Sequence, residues 1–248
     1  MNGLKRKTLT DYFTTSPSKR PKPSSPKSDT TQPIEQLHPS IPGLSLVPSL
    51  ITPAEESRIL AFLDAQTWRT DLARRVIHYG GTYCLLPPRD ASPEERKRIE
   101  RNIITADAIP PELAWIVDRM VSLGLYLSTS KPTYCIVNSY TAGQGISAHV
   151  ENFRFDEPVV GLTLGAGDHM RFRELVAEDD GSVRSGKAGK AERTGRKVDV
   201  WLDRRGLVVM RGEARRKWQH EIVRGRKSGK GDGWRRVSLT FRVERDGK

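Results

Sequence analysis

The sequence predicts an α+β domain with an all-β core, a sandwich or jelly roll, preceded by a tail without a fold of its own. Three observations point there. Residues 14–42 carry seven prolines among Ser, Thr and Lys, a composition too poor in apolar surface to offset ordering entropy. Two helix-period segments follow. From Tyr134 onward come six short apolar runs, TYCIVNSY, EPVVGLTLG, HMRFREL, VDVWL, GLVVMRG and RRVSLTFRVE, separated by Gly, Asp and Asn.

The tail spans 1–40. Within it, KRKTLTDYF places Leu9, Tyr12 and Phe13 on one face of a single helical turn by i, i+3, i+4 spacing. So short a turn is stable only in a partner's groove. The segment 6–13 resembles the peptide by which proteins bind the sliding clamp (PCNA), with Arg6 where that motif usually has Gln. Clamp binding through Leu9, Tyr12 and Phe13 is expected on that resemblance. Ser18–Lys22, SKRPK, reads as a basic nuclear import run, so nuclear localisation is expected.

The folded domain is expected over 41–248. LSLVPSLI reads as a strand; Thr52 is an N-cap, with Pro53 at the first helical position and Glu55 three residues after the cap, starting a helix that runs to about Gln66. PPELAWIVDRMVSLG predicts a second helix with Leu113, Ile116, Val117 and Met120 on one stripe and Gly124 as its stop. Both helices should back a sheet. Residues 177–197, rich in Gly, Lys and Arg, read as an extended loop between two core strands.

Composition narrows the function. Net charge is +12, with 42 Lys and Arg against 30 Asp and Glu. That balance favours a polyanionic partner, because each neutralised phosphate releases condensed counterions. No window approaches the roughly 18 apolar residues of a membrane helix, and the basic start lacks a secretory apolar run, so neither a membrane nor a secreted protein is expected. Cys84 and Cys135 sit in no thiolate metal motif, which fits a reducing compartment.

His149-Val150-Glu151 carries the chemistry. Side chains two apart on a strand share a face, so an imidazole and a carboxylate can point at one place. A distant histidine would complete two His and one carboxylate, the facial set that leaves positions open on non-haem iron(II). His220 is the candidate; His38 falls in the proline-rich stretch, His78 lies before Tyr79-Gly80-Gly81, and His169 starts a strand, where a satisfied or solvent-facing histidine is expected. Arg236 and Arg242 lie an even number apart, so both share a strand face with Ser238 and Thr240, while Val237, Leu239 and Phe241 point to the core. A buried arginine needs an anion, and its planar fork suits a carboxylate; a dicarboxylate such as 2-oxoglutarate would satisfy the pair.

These pieces occur in a telling order. Asn138-Ser139-Tyr140 with Gly143 and Gly145, His149-x-Glu151, PVVGLTLG, LVVMRGEAR with Trp218 and His220, and RVSLTFR together resemble the AlkB-like iron(II)- and 2-oxoglutarate-dependent dioxygenases over about residues 41–245. The resemblance implies a double-stranded β-helix, a jelly-roll variant, backed by helices. It implies Fe(II) on His149, Glu151 and His220, and 2-oxoglutarate held by Asn138, Tyr140, Arg236, Ser238 and Arg242. It implies decarboxylation of 2-oxoglutarate to succinate coupled to hydroxylation of a C–H bond; on an N-methyl group the product collapses to formaldehyde and the bare base.

Two positions depart from the family pattern. Glu151 stands where the family usually has Asp, and Phe153 where bacterial repair members carry an acid that helps read the base. The stretch Asp71–Gly81 occupies the family's nucleotide-recognition region, where Arg74 and Arg75 are expected on phosphates and Tyr79 or Tyr83 as stacking platforms for an extruded base. The arginines of 211–216 and the 184–197 loop are expected to add phosphate contacts. The leading expectation is a monomeric nuclear enzyme that removes alkyl lesions from nucleic-acid bases, DNA favoured over RNA. The alternatives are a hydroxylase of a modified wobble uridine in tRNA, which RRVIHYG, PVVGLTLG and LVVMRGEAR especially resemble, and a clamp- or nucleic-acid-binding adaptor on an inactive fold.

Overall fold

The computed structural model describes residues 34–84, 92–100, 103–179, 191–227 and 229–245. Leu9, Tyr12, Phe13 and the basic run 18–22 lie outside the described residues. β1 (Gln36–Leu37) and β2 (Leu44–Val47) open the domain as an antiparallel pair. The expected tail boundary at 40 therefore falls after the first strand. β1 is too short to show a pattern in sequence; it is held through the Glu35–Arg211 ion pair and the His38 N–H to Leu44 carbonyl bond of 2.8 Å.

Thr52 caps α1 (Pro53–Asp64) in a full capping box with Glu55. Glu55 also forks with Arg119 of α3 (Pro111–Ser122) at 2.9 and 2.7 Å, tying the two helices together. Between them lie β3 (Arg75–Tyr79), β4 (Thr82–Cys84), α2 (Pro93–Glu100), which the sequence reading did not expect, and β5 (Ile103–Thr105). The Arg119 hydrogen bonds pull the Glu55 pKa down to about 2 against the opposing effect of burial, with the Thr52 cap adding to the pull. A depressed carboxylate stabilises the fold above its unfolded pKa near 4.5, and that contribution disappears as pH falls through about 2. Glu55→Ala should therefore cost about 1–2 kcal/mol at pH 7. The gap from wild type should close as melting is followed from pH 5 downward; a gap that stays constant with pH would contradict this linkage.

The remaining strands are β6 (Tyr134–Thr141), β7 (Ile146–His149), β8 (Val159–Gly165), β9 (Asp168–Leu175), β10 (Arg193–Leu202), β11 (Leu207–Met210), β12 (Trp218–Ile222) and β13 (Arg235–Arg242), with the short helix α4 (Gly212–Arg216) before β12. A seven-stranded sheet runs β1-β2-β11-β8-β13-β6-β3 and a four-stranded sheet β10-β9-β12-β7, with β4-β5 as a separate pair. Among the described residues all strand pairings are antiparallel. Two facing antiparallel sheets backed by helices make the jelly-roll architecture expected. The Gly-, Lys- and Arg-rich stretch needs correcting: residues 193–197 begin β10, paired with β9 across a bulge, and 180–190 lie outside the described residues.

The large sheet has two buried faces. On one, Ile77, Tyr79, Val137, Leu162, Val237, Leu239 and Phe241 pack with Ile59, Leu63, Leu113, Ile116 and Met120 of α1 and α3. On the other, Tyr140, Val159, Val208 and Met210 meet Met170, Phe172, Val200, Trp218 and Ile222 of the small sheet. Polar side chains that alternate into this inter-sheet layer are therefore desolvated. Gly145 fixes one edge of it: a Cβ there would lie 2.1 Å from the Ile222 carbonyl oxygen, so only glycine lets the β6–β7 turn sit close enough for β7 to pair with β12.

Candidate active site

His149 ends β7 and His220 lies directly opposite it in β12, the two rings 4.4 Å apart. The Ser147 carbonyl, 2.8 Å from His149 Nδ1, can only accept a hydrogen bond, so Nδ1 carries the proton and Nε2 presents its lone pair. Burial, with His220 beside it, pushes the His149 pKa down to about 4, which leaves the imidazole neutral at pH 7. His220 stands in β12, directly behind the short helix α4.

Glu151 lies outside any strand, so same-face alternation along β7 does not place it. It nonetheless returns to the histidines. Its Oε1 is 3.5 Å from His220 Nε2 and 3.9 Å from His149 Nε2, and its Oε2 accepts from Arg242 Nε at 2.7 Å. Burial alone would raise its pKa; the Arg242 charge and the hydrogen bonds from His220 and Arg242 overturn that and hold it well below the usual range. One ligand atom from each of the three residues falls within 4.8 Å of the others. Ligands about 2 Å from a common ion lie roughly 3–4 Å apart, so the set fits a metal with little adjustment.

The large sheet faces this cluster with Asn138 and Tyr140 from β6 and Arg236, Ser238 and Arg242 from β13, all buried. Register places Arg236 opposite Tyr140 and Ser238 opposite Asn138. Arg236 donates from Nη2 to Thr163 Oγ1 at 3.0 Å; among the described residues its buried Nε has no partner, and neither has Arg242 Nη1. Two buried guanidinium donors left open beside an amide and a phenol call for an anion with two carboxylates. The donor set therefore fits 2-oxoglutarate as the histidine and glutamate set fits iron. Arg242 is shared between the two sets: its Nε holds Glu151, which leaves its Nη1 facing the co-substrate side without a partner among the described residues.

The expected nucleotide-recognition residues divide. Arg74 turns inward, donating to Asn138 Oδ1 at 2.6 Å, and so steadies the co-substrate face instead of reaching for phosphate. Arg75 is exposed, over the Trp68 ring. Tyr79 belongs to the helix-side core, because its strand position alternates away from the site. Tyr83 is 8% exposed, its hydroxyl on the Tyr79 carbonyl and its ring packed against His78 and Tyr134, so it offers no open stacking face. Of the 211–216 arginines, Arg211 pairs with Glu35, Arg216 with Glu157, and Arg215 is buried.

Three residues with evident roles escaped the sequence reading. Thr163 carries Arg236, and period-two alternation in VVGLTLG would have placed it inward. His78 shares the site face of β3 with Val76, opposite Ile136 and Asn138. Arg215 binds the carbonyls around Glu151, and no sequence signal distinguishes it from its arginine neighbours.

The family profile described as 2OG-Fe(II) oxygenase superfamily matches residues 43–242. The chain belongs to this superfamily. Its co-substrate is 2-oxoglutarate and its metal Fe(II), and as a 2-oxoglutarate-dependent oxygenase it is an enzyme. Curated relatives make it an AlkB-like member of the superfamily. It is 30% identical over 222 residues to the Arabidopsis thaliana "Alkylated DNA repair protein ALKBH8 homolog", covering 84% of this chain and 60% of that protein. It is 26% identical over 193 residues to the Mus musculus "tRNA (carboxymethyluridine(34)-5-O)-methyltransferase ALKBH8", covering 73% of this chain and 24% of that one. The structure of OsALKBH1 superposes with a TM-score of 0.53 at 16% identity over 81% of this chain and 98% of that one.

His149, Glu151 and His220 would hold the iron, which would supply oxygen activation coupled to 2-oxoglutarate decarboxylation for C–H hydroxylation. The protein's own groups do the rest. His149 offers a neutral Nε2 because Ser147 fixes its tautomer, and Arg242 keeps Glu151 ionised. Arg236, desolvated between the sheets, would supply a cation to a carboxylate bound beside it. The inter-sheet apolar layer packs Phe172 against the buried His220 ring, while the His149 side chain stays 31% exposed at the open side of the cluster.

Proposed function

We propose that the chain uses the His149, Glu151 and His220 centre to hydroxylate a neutral or anionic modified uridine in RNA, the wobble uridine of tRNA being the leading candidate. The observation that carries this reading is the sign of the charge around the site. His78, on the site face, has a pKa pushed down to about 4 by burial and then by the guanidiniums of Arg69, Arg242 and Arg74. Of these, Arg69 is balanced by Asp71 at 2.6 Å and Arg242 by Glu151 at 2.7 Å, while Arg74 is held by the neutral Asn138 amide and keeps its charge. Phe153 stacks on Arg215 at 5.1 Å, where a repair enzyme's acid would face the base. N1-methyladenine and N3-methylcytosine are cations and would meet surplus positive charge. A carboxymethyl uridine, the modification in the mouse relative's name, would not.

Oxidative dealkylation of DNA is the second reading, supported by the name of the Arabidopsis relative. Clamp anchoring through Leu9, Tyr12 and Phe13 and nuclear localisation belong with it, on residues outside those described. The deciding experiment incubates the protein with Fe(II), ascorbate and 2-oxoglutarate beside two substrates: methylated-base oligonucleotides, and tRNA carrying the carboxymethyl or methyl-ester uridine. Succinate and a hydroxylated uridine of 16 Da greater mass are expected from the tRNA alone, a mass set by one inserted oxygen at about 16 Da. Formaldehyde release from the oligonucleotides with unmodified tRNA would reverse the two readings.

A further inference from the structure

We propose that Arg215 is a positioning residue for the metal centre: it gathers the backbone around Glu151 so that this longer carboxylate reaches the point shared by His149 and His220. The proposal rests on the assignment of those three residues as metal ligands. Arg215 is 3% exposed, yet among the described residues its guanidinium is bonded to backbone carbonyls and to no carboxylate. Nη1 donates to the Glu151 carbonyl at 2.7 Å, and Nη2 to the carbonyls of Asn152 at 2.8 Å and Phe155 at 3.2 Å. The Phe153 ring covers it at 5.1 Å.

This arrangement stands in for a missing strand. β7 stops at His149, and the next ladder contact is the single bridge between Phe155 and Glu244. The segment between has two local bonds of its own, Phe155 N–H to the Asn152 carbonyl at 3.1 Å and Arg154 N–H to Asn152 Oδ1 at 2.9 Å. Neither reaches Glu151. Its backbone position is set from across the fold by Arg215, and Arg215 stands on α4, which leads directly into the strand bearing His220. One side chain thus joins the two chain segments that carry the ligands. A planar fork with parallel donors can fan across three carbonyls; the single ammonium of a lysine cannot span them equally.

The test uses the full chain, with Mn(II) as the probe for affinity and Co(II) for the shape of the site through its visible absorption. Arg215→Met should weaken Mn(II) binding about 10–100-fold, as supporting residues around metal ligands do, and should alter the Co(II) spectrum. Arg215→Lys should recover part of both. The effects of Arg215→Met and Glu151→Asp on Mn(II) affinity should be far from additive, because both act through one carboxylate. A lysine variant with wild-type affinity and spectrum, or full additivity, would overturn the positioning role, and the lysine variant keeps the test open should Arg215→Met fail to fold. Failure of the wild-type chain to bind Mn(II) would instead overturn the ligand assignment beneath it.

Discussion

Glu151→Asp, the change that restores the family's usual residue, is expected to weaken metal binding by roughly ten-fold or more instead of improving it. The two carboxylate oxygens already have separate tasks: Oε1 faces both histidine Nε2 atoms and Oε2 holds Arg242 at 2.7 Å. Removing one methylene draws the carboxylate back by about 1.5 Å, and it can no longer serve both. If it stays with the histidines, the guanidinium of Arg242, buried at 7% exposure, loses its anion; breaking a buried pair in that way costs about 3–5 kcal/mol. If it stays with Arg242, the metal loses its only carboxylate from the triad. Mn(II) titration and melting, run together, distinguish the two: loss of affinity with stability kept, or loss of stability with affinity kept in part. Tighter Mn(II) binding or faster succinate formation by Glu151→Asp would show that glutamate is a defect, and would revive the adaptor reading.

How far the sequence revealed this site depended on how regular each segment is. α1 was plain from Thr52, Pro53 and Glu55, and α3 from its stripe, because caps and 3.6-residue periodicity are local. β13 was plain because Arg236 to Arg242 alternate strictly between two faces, and both faces proved buried for different reasons: helix packing on one, the site on the other. β7 and β12 gave no such signal. β7 has four residues of mixed exposure, and Trp218, Gln219 and His220 of β12 are buried in succession, so neither alternates. The ligands they carry came into view through the order of motifs.

Where strand period was not applied, residues were misassigned. Arg75 to Tyr79 form β3, whose period of two puts Ile77 and Tyr79 on the helix side and His78 on the site side. Reading the stretch as a loose recognition segment chose the tyrosine over the histidine. Arg215 was hidden for another reason. In RGEARR its fate depends on contacts with residues 60 or more positions away, and only those contacts separate a buried hold from its ion-paired neighbours Arg211 and Arg216.

Arg236→Met should separate stability from function in opposite directions. Arg236 is 1% exposed, its Nε has no partner among the described residues, and burial outweighs the nearby groups to lower its pKa. Asp168, the carboxylate that acts on it, is already bound to Lys230 at 2.8 Å, both side chains nearly inaccessible. The co-substrate-free protein therefore carries more buried positive charge than it can neutralise at this end of the site. Methionine fills similar volume without charge, so the variant should melt at the wild-type temperature or above it, with a gain of about 1–4 kcal/mol where the core closes well. Its affinity for 2-oxoglutarate should fall by 2–5 kcal/mol, about 30-fold or more, because a buried cation that binds a carboxylate is worth roughly that when truncated. Melting with and without 2-oxoglutarate, Mn(II) replacing iron, reads both effects: the co-substrate raises the wild-type midpoint and leaves the variant's unchanged. A variant still stabilised by 2-oxoglutarate would remove Arg236 from the co-substrate site. Lys230 cannot take its place there, since releasing it would strand the buried Asp168.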